Sequence, residues 1–329
     1  MSGGLNYLTT DDINEPLLLT PVFKDYIWGG FALRRDWGKD PNGNKKIAES
    51  WELSCLPGNE TYVANEKYHG KTLIDLSREY NGIFGTRASK FKNFPALIKI
   101  IDANNDLSIQ VHPNDKQALE IENYSMGKTE VWYVADAKPD AHIYLGFKKT
   151  NDESILRQAI SNNTFCDFLN KIPVKAGDFF SIPAGTVHAL LSGALIVEIQ
   201  ETSNITYRLY DYDRKNEQGE GRELHIEKAF KVMNKARYSI EKQKAPACIL
   251  SDGSKKRVLI KTEYFDVNEI VIKNKHKLYN SNEATVLTIL SGDGKFTSGA
   301  QIKKGDTYFI RPKLPIQIEG DLSMIETLV

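Results

Sequence analysis

The chain has no surplus of charge: of its 329 residues, 43 are Lys or Arg and 43 are Asp or Glu. That balance leaves no global field to attract nucleic acid or an acidic membrane surface, so partners must be recognised locally. Cysteine is scarce as well. Cys55, Cys166 and Cys248 are odd in number and widely spaced, with no Cys-x-x-Cys pair. Neither a disulfide framework nor a thiolate zinc site is indicated, and a reducing compartment fits. The longest apolar stretch, Ala189 to Val197, is interrupted by Ser192 and Gly193 and is far too short to span a bilayer. A Gly-rich loop ending in Gly-Lys-Ser/Thr is also missing, so nucleotide binding is not indicated. Met1 to Asn14 shows no basic segment followed by an apolar one, hence no signal peptide. The expectation is a soluble, cytoplasmic protein with no nucleic-acid or membrane partner.

What is present is strand signal. Short β-rich runs such as Ala96 to Ile101, Val131 to Val134 and Leu195 to Ile199 lie between Gly, Pro and Asn clusters, the pattern of a sandwich or barrel. Helical signals are fewer, over 72–80, 115–124 (with Asn114 and Gln117 spaced as a capping box), 152–170 and 224–233. One motif recurs: Lys175-Ala176-Gly177-Asp178-Phe179-Phe180-Ser181-Ile182-Pro183 returns in outline as Lys303 to Pro312, a turn feeding a strand that ends at proline. Two related β-units follow from it. The reading is an N-terminal unit over 1–240, a linker at about 234–254, and a C-terminal unit over 255–329.

Only the first unit looks chemically equipped. In Asp106 to Pro113 the strand alternation puts Leu107, Ile109 and Val111 on one face and Ser108, Gln110 and His112 on the other. Taken alone, that polar face fits the solvent side of an edge strand. Lys128 and Glu130 at the start of the next strand, taken alone, fit a solvated edge, and a single His188 after a turn fits a structural histidine. Together, Gln-x-His, Glu and His offer the nitrogen and oxygen donors that a divalent ion takes while leaving positions open for water or substrate. Glu198 and Gln200 share a strand face opposite Leu195, Val197 and Ile199, and Arg208 shares one with Thr206. Charged groups facing into a barrel need partners. Trp28 and Trp51 read as caps on the core.

Several ordered motifs now coincide: Tyr26-Ile27-Trp28-Gly29-Gly30, Glu49 to Ser54, Ser108 to Pro113, Gly127-Lys128-Thr129-Glu130, Pro183 to Ala189, and Glu198 through Arg208. In these the chain resembles the type I phosphomannose isomerases in their short bacterial form, over most of its length. The resemblance implies two cupin-like β-barrels (jelly-roll) with helical additions and zinc in the N-terminal barrel. It also implies interconversion of mannose 6-phosphate and fructose 6-phosphate. By the same resemblance Gln110, His112, Glu130 and His188 are the zinc ligands. Lys128, Glu198 and Arg208 match positions of substrate handling and proton transfer, and Ser108 and Arg214 match positions near the substrate phosphate. There are departures. Ser203-Asn204-Ile205 stands where longer members read Ser-Asp-Asn, and Gly127-Lys128-Thr129 where they read His-Lys-Pro, so the general base stays open between Lys128 and Glu198. Mixed nitrogen and oxygen donors also accept manganese, cobalt or iron.

Two other classes share some of these features. A cupin oxygenase or decarboxylase uses similar ligands, commonly with His-x-His where this chain has Gln110-Val111-His112. A non-catalytic sugar-phosphate-binding protein needs the phosphate grip but neither Lys128 nor Arg208. The partner expected is a small sugar phosphate, bound by a monomer or homodimer.

Overall fold

The computed structural model describes residues 9–40, 42–215, 219–239, 246–278 and 281–329. The architecture is mainly β, with three sheets and short helices around them. One antiparallel sheet orders the strands Phe179–Ile182, Glu130–Ala137, Ala194–Glu201, Ala96–Ala103, Glu49–Leu53 and Val22–Lys24. A second orders Tyr207–Tyr210, Ile109–Val111, His188–Leu190, His142–Phe147 and Leu169–Pro173. Between them, Ile101, Trp132, Val134 and Ile196 of the first meet Ile143, Leu145, Ile172 and Leu190 of the second in one core.

Both sheets are also covered on their outer faces, which explains the near-continuous apolar runs in their strands. On one side Ile98, Ile100, Val131, Val197 and Ile199 pack with Leu259, Phe265, Val267, Val286 and Ile325 of the C-terminal unit. On the other, Ile109, Val111, Ala189 and Leu209 pack with Leu156 and Ala159 of the helix Glu153–Ser161 and with Ala229, Phe230 and Val232 of the helix Ile226–Val232. The apolar face of Ile109–Val111 thus looks outward to helices. Its polar face looks inward.

The third sheet belongs mostly to the C-terminal unit and is built on two long strands, Thr285–Phe296 and Ile316–Leu328. Their far halves carry Lys275–Leu278 and Gln301–Lys303 at the sides, and Leu287, Ile289, Phe296, Ile318 and Met324 fill the interior. The repeated motif folds the same way in both units. Gly177 and Gly305 take φ of 87° and 88°, a left-handed turn conformation that suits glycine. Asp178 and Asp306 each accept the backbone N–H three residues back, from Lys175 at 3.0 Å and Lys303 at 2.9 Å.

Three sequence expectations differ from what is observed. The strand Leu17–Thr20 pairs with Thr307–Ile310, so the chain's first strand lies in the C-terminal sheet although it falls within 1–240. Its buried Leu17 and Leu19 fill the core shared by the two units. The single helix expected over 152–170 ends at Ser161, because Asn163 turns left-handed at φ 58°. A short turn Phe165–Phe168 and the strand Leu169–Pro173 follow. Within the expected linker, Cys248–Ile249 forms an edge strand against Lys255–Lys261, and residues 240–245 lie outside the described residues. Among the described residues no helix is long and apolar enough to cross a membrane.

Candidate active site

The N-terminal barrel opens into a cleft of about 420 Å³ lined by, among others, Tyr26, Trp28, Lys99, Lys128, Glu198 and Arg208. Strand register assembles its floor. His188 stands opposite Gln110, Arg208 is paired with Gln110 on its other side, and Gln200 is opposite Glu130.

The candidate metal donors converge there. His112 Nε2 lies 3.3 Å from Glu130 Oε1 and His188 Nε2 lies 3.5 Å from Glu130 Oε2. Gln110 Nε2 is 3.4 Å from His188 Nε2. The three residues His112, Glu130 and His188 have ligand atoms within 4.8 Å of one another, all buried. Each histidine donates from Nδ1 to a backbone carbonyl, His112 to Ile205 at 2.8 Å and His188 to Thr186 at 2.9 Å. That fixes the tautomer and leaves both Nε2 lone pairs facing the carboxylate, the outer-shell arrangement of a metal ligand. Burial, then Lys128, pushes His112 down to about 3, and burial lowers His188, so both rings are neutral and ligand-competent at pH 7. Burial alone would raise Glu130, but the Lys128 ammonium, then the neighbouring His112 ring, outweigh it and hold the carboxyl well below its usual range. Glu130 Oε2 is buried without a hydrogen-bond partner. Two lone pairs, a carboxylate and an orphaned oxygen around one point fit a divalent cation. Lys128 Nζ already serves part of that demand, 3.2 Å from His112 Nε2 and in contact with Glu130 Oε1.

Above the floor runs a row of alternating charge. Lys99 Nζ sits 3.1 Å from Glu198 and 3.8 Å from Glu49, and Trp132 Nε1 donates to Glu198 at 2.9 Å. Burial would lower Lys99, but Glu198 and Glu49 outweigh it and hold the ammonium above its usual range. At the rim, Arg208 donates to Ser108 Oγ at 3.3 Å and to the Glu223 carbonyl at 2.6 Å. Arg222 donates to Asp211 at 2.8 Å and lies over the Trp28 ring, 5.5 Å from its centroid. Arg214 shares the same Asp211. Because Arg214 shares the Asp211 carboxylate, Arg208 and Arg222 leave the rim net positive and suited to an anion.

Of the residues singled out from sequence, Ser108, Gln110, Lys128, Glu198 and Arg208 line the cleft, and His112, Glu130 and His188 are buried directly behind Gln110 and Lys128. Arg214 does not line it. Its guanidinium is taken up by Asp211 and the Asp106 carbonyl, and it lines a separate surface depression with Asn104, Asn105 and Tyr212. Arg222 occupies the rim instead. Lys128 and Glu130 are buried rather than at a solvated edge. Trp51 is buried against Leu56 and Leu97, as a core residue, whereas Trp28 lines the cleft with a buried, unpartnered Nε1. Lys99 and Arg222 escaped the sequence reading, and Glu49 entered it only within the Glu49 to Ser54 motif, with no role in the site. A lone lysine inside the apolar run Ala96 to Ile101 was the available signal for Lys99.

Residues 17–151 match the family model described as phosphomannose isomerase type I, catalytic domain. The chain is 38% identical over 315 residues to a mannose-6-phosphate isomerase of Streptococcus mutans, covering 94% of this chain and 97% of that one. It is 37% identical over 299 residues to a mannose-6-phosphate isomerase of Bacillus subtilis, covering 89% and 91% of the two chains. The crystal structure of a mannose 6-phosphate isomerase from Bacillus subtilis superposes with a TM-score of 0.85 at 34% identity, covering 95% of this chain and 99% of that one.

Proposed function

The chain belongs to the type I phosphomannose isomerases, and from that membership we propose that it interconverts mannose 6-phosphate and fructose 6-phosphate through an enediol, in a metal-dependent reaction in its N-terminal barrel. The observation that carries this reading is the convergence of His112 and His188 on Glu130, buried behind Gln110 and Lys128 of a cleft walled by ammonium, carboxylate and guanidinium groups. Gln110, His112, Glu130 and His188 would hold the ion, and zinc is the metal we favour. Manganese, cobalt or iron suit the same donors. When bound, the metal supplies Lewis-acid polarisation of the sugar oxygens.

The isomerisation removes the C2 proton of the open-chain aldose and returns it to C1, while the hydroxyl proton passes from O2 to O1. Lys99, held charged by its two carboxylates, is unsuited to act as the base. Lys128 and Glu198 face the same cleft and are the two candidate proton carriers. Arg208, one strand from Gln110, is placed to stabilise negative charge developing on the substrate oxygens. We assign the phosphate to Ser108 and Arg222, which both line the cleft, Ser108 accepting a hydrogen bond from Arg208 at its positive rim. The catalytic work falls to the 1–240 unit, and the 255–329 unit supports it by covering the six-stranded sheet.

The test is conversion of mannose 6-phosphate to fructose 6-phosphate by the purified protein, before and after chelation and zinc restoration, with His188→Ala alongside. Activity lost with the metal and restored by zinc supports the reading. A metal-loaded protein with no isomerase activity overturns it.

A further inference from the structure

Lys128 is held by its backbone as much as by its side chain. The loop Gly127-Lys128-Thr129 lies between the turn after His112 and the strand Glu130–Ala137, and three consecutive N–H groups in it are each anchored by a different element. Gly127 N–H donates to Asp115 Oδ1 at 2.6 Å, Lys128 N–H to the Pro113 carbonyl at 3.0 Å, and Thr129 N–H to Glu201 Oε1 at 2.8 Å. Glu201 N–H donates back to the Thr129 carbonyl at 3.1 Å. At Gly127 a Cβ would lie 2.5 Å from the Asn114 carbonyl carbon and 2.6 Å from the Pro113 carbonyl oxygen, so the loop is pressed directly on the turn that follows His112.

The two carboxyl groups are themselves fixed. Asp115 opens the helix Asp115–Glu122, whose Asn114/Gln117 capping box holds its first turn with bonds of 2.9 and 3.0 Å. Asp115 Oδ2 accepts a hydrogen bond of 2.9 Å from the hydroxyl of Tyr264, which belongs to the C-terminal unit. Glu201, 1% exposed at the end of the strand Ala194–Glu201, interacts directly with Asp115. Its second oxygen is buried and lacks a donor. Burial, then Asp115, pushes the Glu201 carboxyl up to about 8, so at neutral pH it keeps a proton with which to satisfy the neighbouring carboxylate.

We infer that Asp115 and Glu201, tied to the C-terminal unit through Tyr264, are positioning residues for the catalytic reaction, gripping the backbone on either side of Lys128 so that its ammonium meets the substrate in one fixed place. This rests on the reading of Lys128 as a group acting on the substrate. The grip also gives the C-terminal barrel a part in catalysis, although that barrel contributes no side chain to the cleft among the described residues.

The experiment compares kcat, KM and bound zinc for Glu201→Ala, Glu201→Gln, Tyr264→Phe, Lys128→Ala and the double variant Lys128→Ala/Glu201→Ala. Displacing a catalytic group by about 1 Å lowers rates by as much as about a hundredfold. Glu201→Ala is expected to lower kcat by about ten- to a hundredfold with KM within about twofold and zinc retained. Glu201→Gln keeps an acceptor for Thr129 N–H and a donor for Asp115, and should recover most of kcat. Tyr264→Phe should lower kcat severalfold, and it keeps the inference testable if Glu201→Ala does not fold. The double variant should be no slower than Lys128→Ala, since Glu201 acts through Lys128. Full kcat in both Glu201→Ala and Tyr264→Phe overturns the inference, as does additive loss in the double variant or loss of zinc that accounts for the whole effect. Full activity in Lys128→Ala instead overturns the role of Lys128 itself.

Discussion

Lys99 and Glu198 stand directly opposite each other on neighbouring antiparallel strands, their charged groups 3.1 Å apart and almost wholly buried. The strand register, set by the apolar residues on either side of each, makes the pair. Removing one partner strands the other in a low-dielectric wall beside Glu49, and breaking such a pair costs about 3–5 kcal/mol. Lys99→Met should destabilise the protein by that order in urea unfolding, and adding Glu198→Gln should recover part of the loss. Equal stability of Lys99→Met and wild type would show that the pair contributes nothing.

Metal binding should be visible as stability. A cation bound only by the native donor set stabilises it by about 2.7 kcal/mol at a hundredfold excess over Kd. Zinc should therefore raise the melting temperature of chelated wild-type protein. His188→Ala removes one buried donor and should abolish most of that rise; a rise of the same size in the variant would place the ion elsewhere.

Arg222 and Arg214 share Asp211 but differ in what they face. Arg222→Ala should raise KM for mannose 6-phosphate roughly tenfold or more, the scale of one charge-assisted hydrogen bond, with KM for unphosphorylated mannose little changed. Arg214→Ala should leave KM for mannose 6-phosphate nearly unaltered. Steady-state kinetics that reverse this order would return the phosphate role to Arg214.

The pH dependence of the chelated protein has two limbs of opposite sign. His112, pushed down to about 3, and His188, also lowered, bind protons in the unfolded chain that the native state refuses, so stability falls as pH drops below about 6.5. Glu201, pushed up to about 8, keeps a proton that the unfolded chain releases near pH ~4.3, so its contribution falls as pH rises toward 8. Below about 6.5 the histidines dominate; between about 6.5 and 8 a decline of roughly 2 kcal/mol remains. Glu201→Gln should remove that decline in urea midpoints measured from pH 5 to 9. Its persistence would assign the proton to another group.

The residues that cluster as the proposed donor set were legible through their types and fixed spacings: Gln110 and His112 two apart on a strand, Glu130 opening another, His188 closing a turn. Which way those faces point was not. The alternation in Leu107 to His112 is the same whether the polar side meets water or a cleft. It is the helices Glu153–Ser161 and Ile226–Val232, packed on Ile109 and Val111, that send the apolar face outward and turn Gln110 and His112 in. Likewise Arg222 and Arg214 are equivalent as letters near Asp211, and only the fold seats one at the rim and commits the other to Asp211 and the Asp106 carbonyl.

By itself the sequence determined the β-rich character, the repeated turn-and-strand motif, the family and the residues proposed as metal donors, since period, turn chemistry and motif spacing are local properties of the chain. The tertiary structure alone decided that Leu17–Thr20 completes the C-terminal sheet, that Lys99 neutralises Glu198 and Glu49, and that Asp115, Glu201 and Tyr264 close around Lys128. Each of these joins residues far apart in the chain. Strand register and burial bring them together, and neither is written in any local pattern.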